Sequence, residues 1–133
     1  MATTTATLTI SSADLTSNPL SITTSSTLYK AGTTIGLEQT TGLAKKVYAA
    51  AQCNTTLISA GDFADDTHSR IYIRNSGSST TDFFTVTIAS GNSVIGRLYG
   101  GDFLFIPYEG EEDIDISSSA TNMELEFMVI NEG

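Results

Sequence analysis

The side chains best suited to metal chemistry lie in the stretch GDFADDTHSR, which contains the only histidine of the sequence. Asp62, Asp65, Asp66 and His68 offer carboxylate and imidazole ligands, which bind divalent cations in proteins. Their spacing lacks the alternating oxygen donors, the central glycine and the final glutamate of an EF-hand loop. The pattern therefore favours a solvated loop over a metal site.

A second acidic stretch, EGEEDID, covers residues 109–115. Paired carboxylates can transfer protons when burial raises one pKa, and a run of oxygens can bind calcium. Here three glutamates surround a glycine, which is typical of a turn, and Asp113 and Asp115 alternate with isoleucines as the outward face of a strand does. We predict a solvated acidic turn, and a calcium contact stays open as the alternative.

The sequence lacks the residues that would activate a nucleophilic serine or cysteine. His68 is the sole candidate histidine base, and no G-x-S-x-G motif is present. Cys53 has no basic neighbour in sequence that would activate a thiol, so we expect it in or near the core. The YGGD sequence has no lysine after it and does not match a phosphate-binding loop. We therefore predict no catalytic residue, no cofactor, no metal ligand and no enzymatic activity.

The composition limits the partners further. The chain has 15 acidic and 6 basic residues and a net charge of −9, so it would repel a nucleic-acid backbone. A single cysteine cannot form an internal disulfide. The N-terminus does not read as a signal peptide, and no apolar run approaches the roughly 20 residues of a membrane span. We expect synthesis in the cytoplasm, with neither nucleic acid nor membrane as a partner.

The elements that must position these residues are predicted to be strands. The sequence contains 21 Thr and 16 Ser, a composition that suits pleated sheets better than helices. Short segments alternate apolar and polar residues between turn signals. These segments include ATLTIS, RIYIRN, DFFTVTIAS, DIDIS and MELEFMVI. They predict an all-β fold for residues 1–133, a single-domain antiparallel β-sandwich that is jelly-roll-like or Ig-like.

Three segments need separate predictions. The Thr-rich N-terminal segment, residues 1–25, is expected to be extended and could serve as an arm that adds a strand to a neighbour. Gly91 and Asn92 have the residue types of a tight hairpin turn. Residues 42–52 are rich in helix-forming residues, with some of the apolar ones at i, i+4 spacing, but their Thr-rich flanks favour a strand over a helix.

The run FLFIPY, residues 103–108, is apolar on both faces, which a half-exposed strand would not be. MELEFMVI repeats this more mildly, because two of its apolar residues share a face with two glutamates. One face can pack on the domain's own core, and the other requires an overlying loop or a second chain. The candidate core or subunit-interface residues are Phe103, Leu104, Phe105, Ile106, Tyr108, Met128 and Ile130.

The order of several motifs resembles a known family. TTGLAKKVYAA, RIYIRN, GGDFLFIP and NMELEFMVI occur in this order between roughly residues 40 and 130. This order is similar to that in small virion structural proteins of tailed bacteriophages, particularly marine and cyanobacterial ones. The resemblance implies a non-enzymatic component of the virion, and the motifs themselves indicate strands and turns rather than chemistry.

Within that family, the expected role is a capsid decoration, or cement, protein. Such a protein would form a homotrimer and bind the major capsid protein or other virion proteins on the outer shell. It would stabilise the expanded shell by binding that state alone. The alternative is a tail- or neck-associated β-sandwich involved in receptor or glycan adhesion or in tail assembly.

Overall fold

The computed structural model describes residues 3–89 and 92–132. Within them the protein is all-β, as predicted, with eleven strands and one short 3₁₀ turn at Ala60–Asp62. The chain divides into two compact units, Met1–Glu38 and Gln39–Gly133. The Gly91–Asn92 turn lies partly outside the described residues, although the strands on either side of it pair as a hairpin.

The first unit contains a two-stranded antiparallel hairpin, β1 (Thr5–Ser12) and β2 (Leu20–Thr27), paired over all eight positions. The segment predicted to be extended, residues 1–25, therefore contains β1 and most of β2, and these two strands pair with each other. The chain beyond β2 returns to the base of the hairpin. Leu28 N donates to Thr4 O at 2.9 Å, Leu37 N donates to Leu28 O at 2.8 Å, and the Thr4 hydroxyl donates to Leu37 O at 3.0 Å.

The two faces of this hairpin differ sharply in chemistry. Residues directly opposite each other share a face, so Ile10 and Ile22 lie together, with Leu8 one position further along. Every β1 and β2 residue on the opposite face is Thr or Ser. The side chains of Leu8, Ile10 and Ile22 are exposed to solvent. The hairpin thus presents one face that combines exposed apolar residues with Ser12, Thr24 and Ser26, and one face of hydroxyl residues alone. Asp14 in its turn is the sole charge of residues 3–29.

The second unit is a sandwich of two antiparallel sheets. The strands are β3 (Gln39–Thr40), β4 (Ala44–Tyr48), β5 (Thr55–Ile58), β6 (Ser69–Asn75), β7 (Phe83–Ile88), β8 (Ser93–Tyr99), β9 (Phe103–Tyr108), β10 (Ile114–Ser118) and β11 (Met123–Asn131). One sheet has the order β5-β10-β7-β8. In the other, β3 and β4 both pair with one side of β11, which is followed by β6 and β9.

Strands β4–β11 follow the nested pairing of a jelly roll rather than an Ig fold. β4 pairs with β11, β5 with β10, β6 with β9 and β7 with β8. β6 and β7 pair on their other sides with β11 and β10. The chain therefore runs out through four strands, turns back at the β7–β8 hairpin and returns through the other four.

The core lies between these two sheets. Ile71, Ile73 and Leu125 from one sheet and Phe84 and Ile114 from the other are fully buried. The alternation in RIYIRN, DIDIS and MELEFMVI predicted the inward-facing residues of these strands correctly. Residues 42–52 contain strand β4, so the prediction of a strand over a helix is confirmed. Pairing with β11 extends this segment despite its helix-forming composition.

Two predictions about individual side chains are wrong. Asp115, predicted to face solvent, is only 4% exposed, because its strand β10 is central in its sheet, between β5 and β7. Its Oδ1 atom has no hydrogen-bond partner among the described residues. Cys53, predicted in or near the core, is exposed, because it lies in the connection between β4 and β5 rather than on a strand.

Candidate interaction surface

The start of β9 is held in place by a hydrogen-bonded turn. The Asn75 side chain, at the end of β6, donates from Nδ2 to Leu98 O at 2.9 Å in the facing sheet. Its backbone N donates to Asp102 O, and its carbonyl accepts from Gly101 N, both at 2.9 Å. Gly100 passes so close to Ser78 that a Cβ would lie 2.6 Å from its carbonyl carbon, so only glycine fits there. β9 is therefore positioned by the fold and is not a loose segment.

The two faces of β9 have different environments. Leu104 and Ile106 pack against the core, and Tyr108 is buried within it. Phe103 and Phe105 point the other way and remain 57% and 39% exposed. β9 also pairs with β6 alone among the described strands, so one of its edges is free. β9 carries no charged side chain, which makes this edge suitable for contact with another chain.

The face beside Phe103 and Phe105 combines apolar and polar groups. Phe105 lies opposite Tyr72, which in turn lies opposite Met128. The Tyr72 hydroxyl donates to the Glu126 carboxylate at 2.9 Å, and Arg74 pairs with the same carboxylate at 3.5 Å. Burial, followed by the hydrogen bond to Glu126, raises the pKa of Tyr72. The polar groups beside Phe103 and Phe105, which are Tyr72, Arg74 and Glu126, thus already contact one another.

The seven predicted interface residues therefore differ in how far they are exposed. Tyr108 and Ile130 are buried in the chain itself, and Leu104 and Ile106 are partly buried against its core. Met128 is half-buried on the outer face of the sheet. The remaining two, Phe103 and Phe105, are the ones available for contact with another molecule.

Sequence reasoning missed a second exposed apolar site at the opposite edge of the same sheet. Leu43 lies just before β4 and Val47 lies on it, and the two residues are 60% and 61% exposed. Among the described residues, β11 is the sole strand partner of β4. Lys45 pairs with Glu124 at 3.4 Å, and Lys46 lies 5.2 Å from the centre of the Tyr48 ring. Apolar and polar residues do not alternate in GLAKKVY, so its pattern does not indicate which side chains point outward. Only pairing with β11 and the sheet order place Leu43 and Val47 at an edge.

The predicted acidic turn follows β9. The Tyr108 hydroxyl donates to Glu112 O at 2.9 Å, and the Asp113 carboxylate accepts from Ala60 N at 2.8 Å. Gly110 has φ +89°, and a Cβ there would lie 2.5 Å from Ala64 O, so the turn requires glycine. Glu109, Glu111 and Glu112 are exposed, as predicted. Asp113 is instead half-buried.

The electrostatics of this turn are repulsive. Glu109 and Asp66 raise the pKa of the exposed Glu111 carboxyl. An open cleft of about 340 Å³ adjoins the turn, and its lining includes Thr67, His68 and Tyr108. Across residues 3–89 and 92–132, no group of three or more His, Cys, Asp or Glu side chains is arranged to hold a metal ion.

No family model, curated protein or solved structure matches this chain. Within the part of the chain that the structure describes, no helix has the length and apolar character needed to cross a bilayer.

Proposed function

We propose that this chain is a non-enzymatic structural protein of a bacteriophage virion, with the role of a capsid decoration protein that self-associates and binds the outer shell. The observation that carries the proposal is the rigidly held strand β9, which leaves Phe103 and Phe105 exposed beside a free, uncharged edge. Jelly rolls of this kind recur in viral capsid domains, which is compatible with such a role by architecture alone.

The amphipathic hairpin supplies the surface for the shell. An isolated two-stranded hairpin is marginally stable in water, so an apolar face with no cover gains from docking. Leu8, Ile10 and Ile22 are the exposed large apolar residues of that face, and no charged residue lies on either strand. The major capsid protein would therefore be met by apolar contact and strand-edge hydrogen bonds rather than by ion pairs. This role implies that the protein is located in the virion.

Co-sedimentation with expanded empty shells of the phage that encodes this chain tests the proposal. The wild type should bind to saturation. Replacing both Ile10 and Ile22 by Ser should weaken binding at least tenfold, because about 1.4 kcal/mol corresponds to a factor of ten and each buried isoleucine contributes roughly that much or more. The matched control replaces Thr9 and Thr23 by Ser, a directly opposed pair on the other face of the same strands.

Two results would contradict the proposal in different ways. If the wild-type protein does not bind shells but binds isolated tails, the chain belongs to the tail. Equal shell binding by the isoleucine and threonine variants would show that the apolar hairpin face is not the contact.

A further inference from the structure

We propose that copies of this chain join head to tail, with the β9 edge of one copy against the β4 edge of the next. This inference rests on the self-association in the proposed function and specifies its geometry. The partner at each edge is a second copy of the same chain.

The first support is the position of the exposed apolar side chains. In the sheet that contains β11 and β6, β9 is one edge and β4 lies on the other. Phe103 and Phe105 are exposed at the first edge, and Leu43 and Val47 are exposed at the second. A two-fold interface would use one self-complementary patch and leave the other apolar edge in water. Two different patches on opposite edges instead fit a heterologous contact, in which both are covered.

The strand directions support the same contact. β4 is antiparallel to β11, β11 to β6, and β6 to β9, so β4 and β9 run in opposite directions. A neighbour related by rotation about an axis along the strands would therefore place its β4 antiparallel to β9. Pro107 lacks a donor, which limits the new ladder to the four residues 103–106, and the five residues of β4 are enough to cover them.

The charges at the two edges are complementary. β4 carries Lys45 and Lys46, two of the six basic residues of a chain with net charge −9. β9 carries no charge itself but is bordered by Asp102 before Phe103 and Glu109 after Tyr108, both exposed. A β4 edge approaching β9 brings Lys46, and Lys45 together with its partner Glu124, towards these carboxylates. A β9 edge approaching another β9 would instead bring carboxylates together.

A heterologous contact closes into a ring when the rotation between neighbours divides a full turn. The homotrimer expected for the decoration role is such a ring. In it, each subunit uses both edges once.

Light scattering over a concentration series, with one variant at each edge, tests the head-to-tail contact. Phe103→Asp alters the β9 edge, and Val47→Asp alters the β4 edge. Each should raise the apparent dissociation constant at least tenfold. Leu15→Asp, at another exposed apolar residue in the hairpin turn, is the matched control and should leave assembly unchanged. Thermal melts establish that each variant is folded, and Leu43→Asp replaces Val47→Asp if that variant is not.

Mixing the two edge variants gives the sharpest result. The first variant retains an intact β4 edge and the second an intact β9 edge, so the mixture should form heterodimers at concentrations where each variant alone is monomeric. Full assembly of Val47→Asp, a mixture that stays monomeric, or a monomeric wild type would each overturn the inference. Shell binding is assigned to the hairpin and is measured separately by co-sedimentation. A negative result for the head-to-tail contact can therefore be distinguished from a negative result for shell binding.

Discussion

Tyr48 shows how the core holds a polar atom at a cost. Its ring packs beside Phe84, with ring centroids 5.4 Å apart, and the residue is buried. Its hydroxyl has no hydrogen-bond partner among the described residues. Burial raises the pKa of Tyr48 to about 12. An unfolded tyrosine has a pKa of about 10, so the folded state keeps this proton over a wider pH range.

Tyr48→Phe should therefore stabilise the protein by about 1 kcal/mol at neutral pH, because it removes an unpaired buried hydroxyl while keeping the ring. The wild type should have its full stability below pH 10 and lose part of it as the pH rises towards about 12, where the folded tyrosine ionises. The variant should lose less over that interval. Urea unfolding at pH 7 and at several alkaline values measures both effects, and a destabilised variant would contradict them.

Individual side chains also show how far the sequence predicts this structure. Ile71 and Ile73 are buried as their alternation predicts. Asp115 alternates correctly with Ile114 and Ile116 and yet is buried, since a period of two residues specifies the direction of a side chain but not what covers it. The Thr87 hydroxyl, on the neighbouring strand, donates to Asp115 O at 3.4 Å. That environment arises from pairing between distant segments.

At the scale of elements, the acidic turn after β9 combines a required glycine with mutually repelling carboxylates. Glu109 and Asp66 raise the pKa of Glu111, so the folded state gives up stability as the pH rises through that pKa. The ordinary pKa of a glutamate is near 4.5, and the contribution is fully present below it. We therefore expect the turn to be more stable in acid or at high salt than at neutral pH and low salt.

Glu111→Gln should raise the melting temperature slightly at pH 7 and leave it unchanged below about pH 4, because the repulsion is then absent in the wild type as well. Removal of divalent cations with a chelator should leave the wild-type melting temperature unchanged. A large drop on chelation, reversed by calcium, would instead establish the calcium contact that the sequence left open.

Strands β4 and β9 show which parts of the candidate surface the sequence could predict. The apolar run 103–108 predicted a strand with two apolar faces, and the structure leaves one of them exposed. β4 was less predictable, because its residues favour a helix and its strand form depends on pairing with β11, which lies more than 70 residues away in sequence. Its position opposite β9 follows only from the order of strands in the sheet.

At the scale of the molecule, the two units present different surfaces. The sandwich carries most of the acidic residues and two exposed apolar edges, while the hairpin is almost uncharged and apolar on one face. The strand period predicted an all-β sandwich, but it left a jelly roll and an Ig fold as alternatives. The nested pairing of β4–β11 decides between them, since strand order is a property of long-range pairing.

The mass of the wild-type protein in solution, measured by light scattering over a range of concentrations, most directly tests whether this chain is a self-assembling building block. We predict a limiting mass of three times the 14.0 kDa chain, with dissociation on dilution. A mass that stays at 14.0 kDa over the whole range would contradict self-association through the exposed edges.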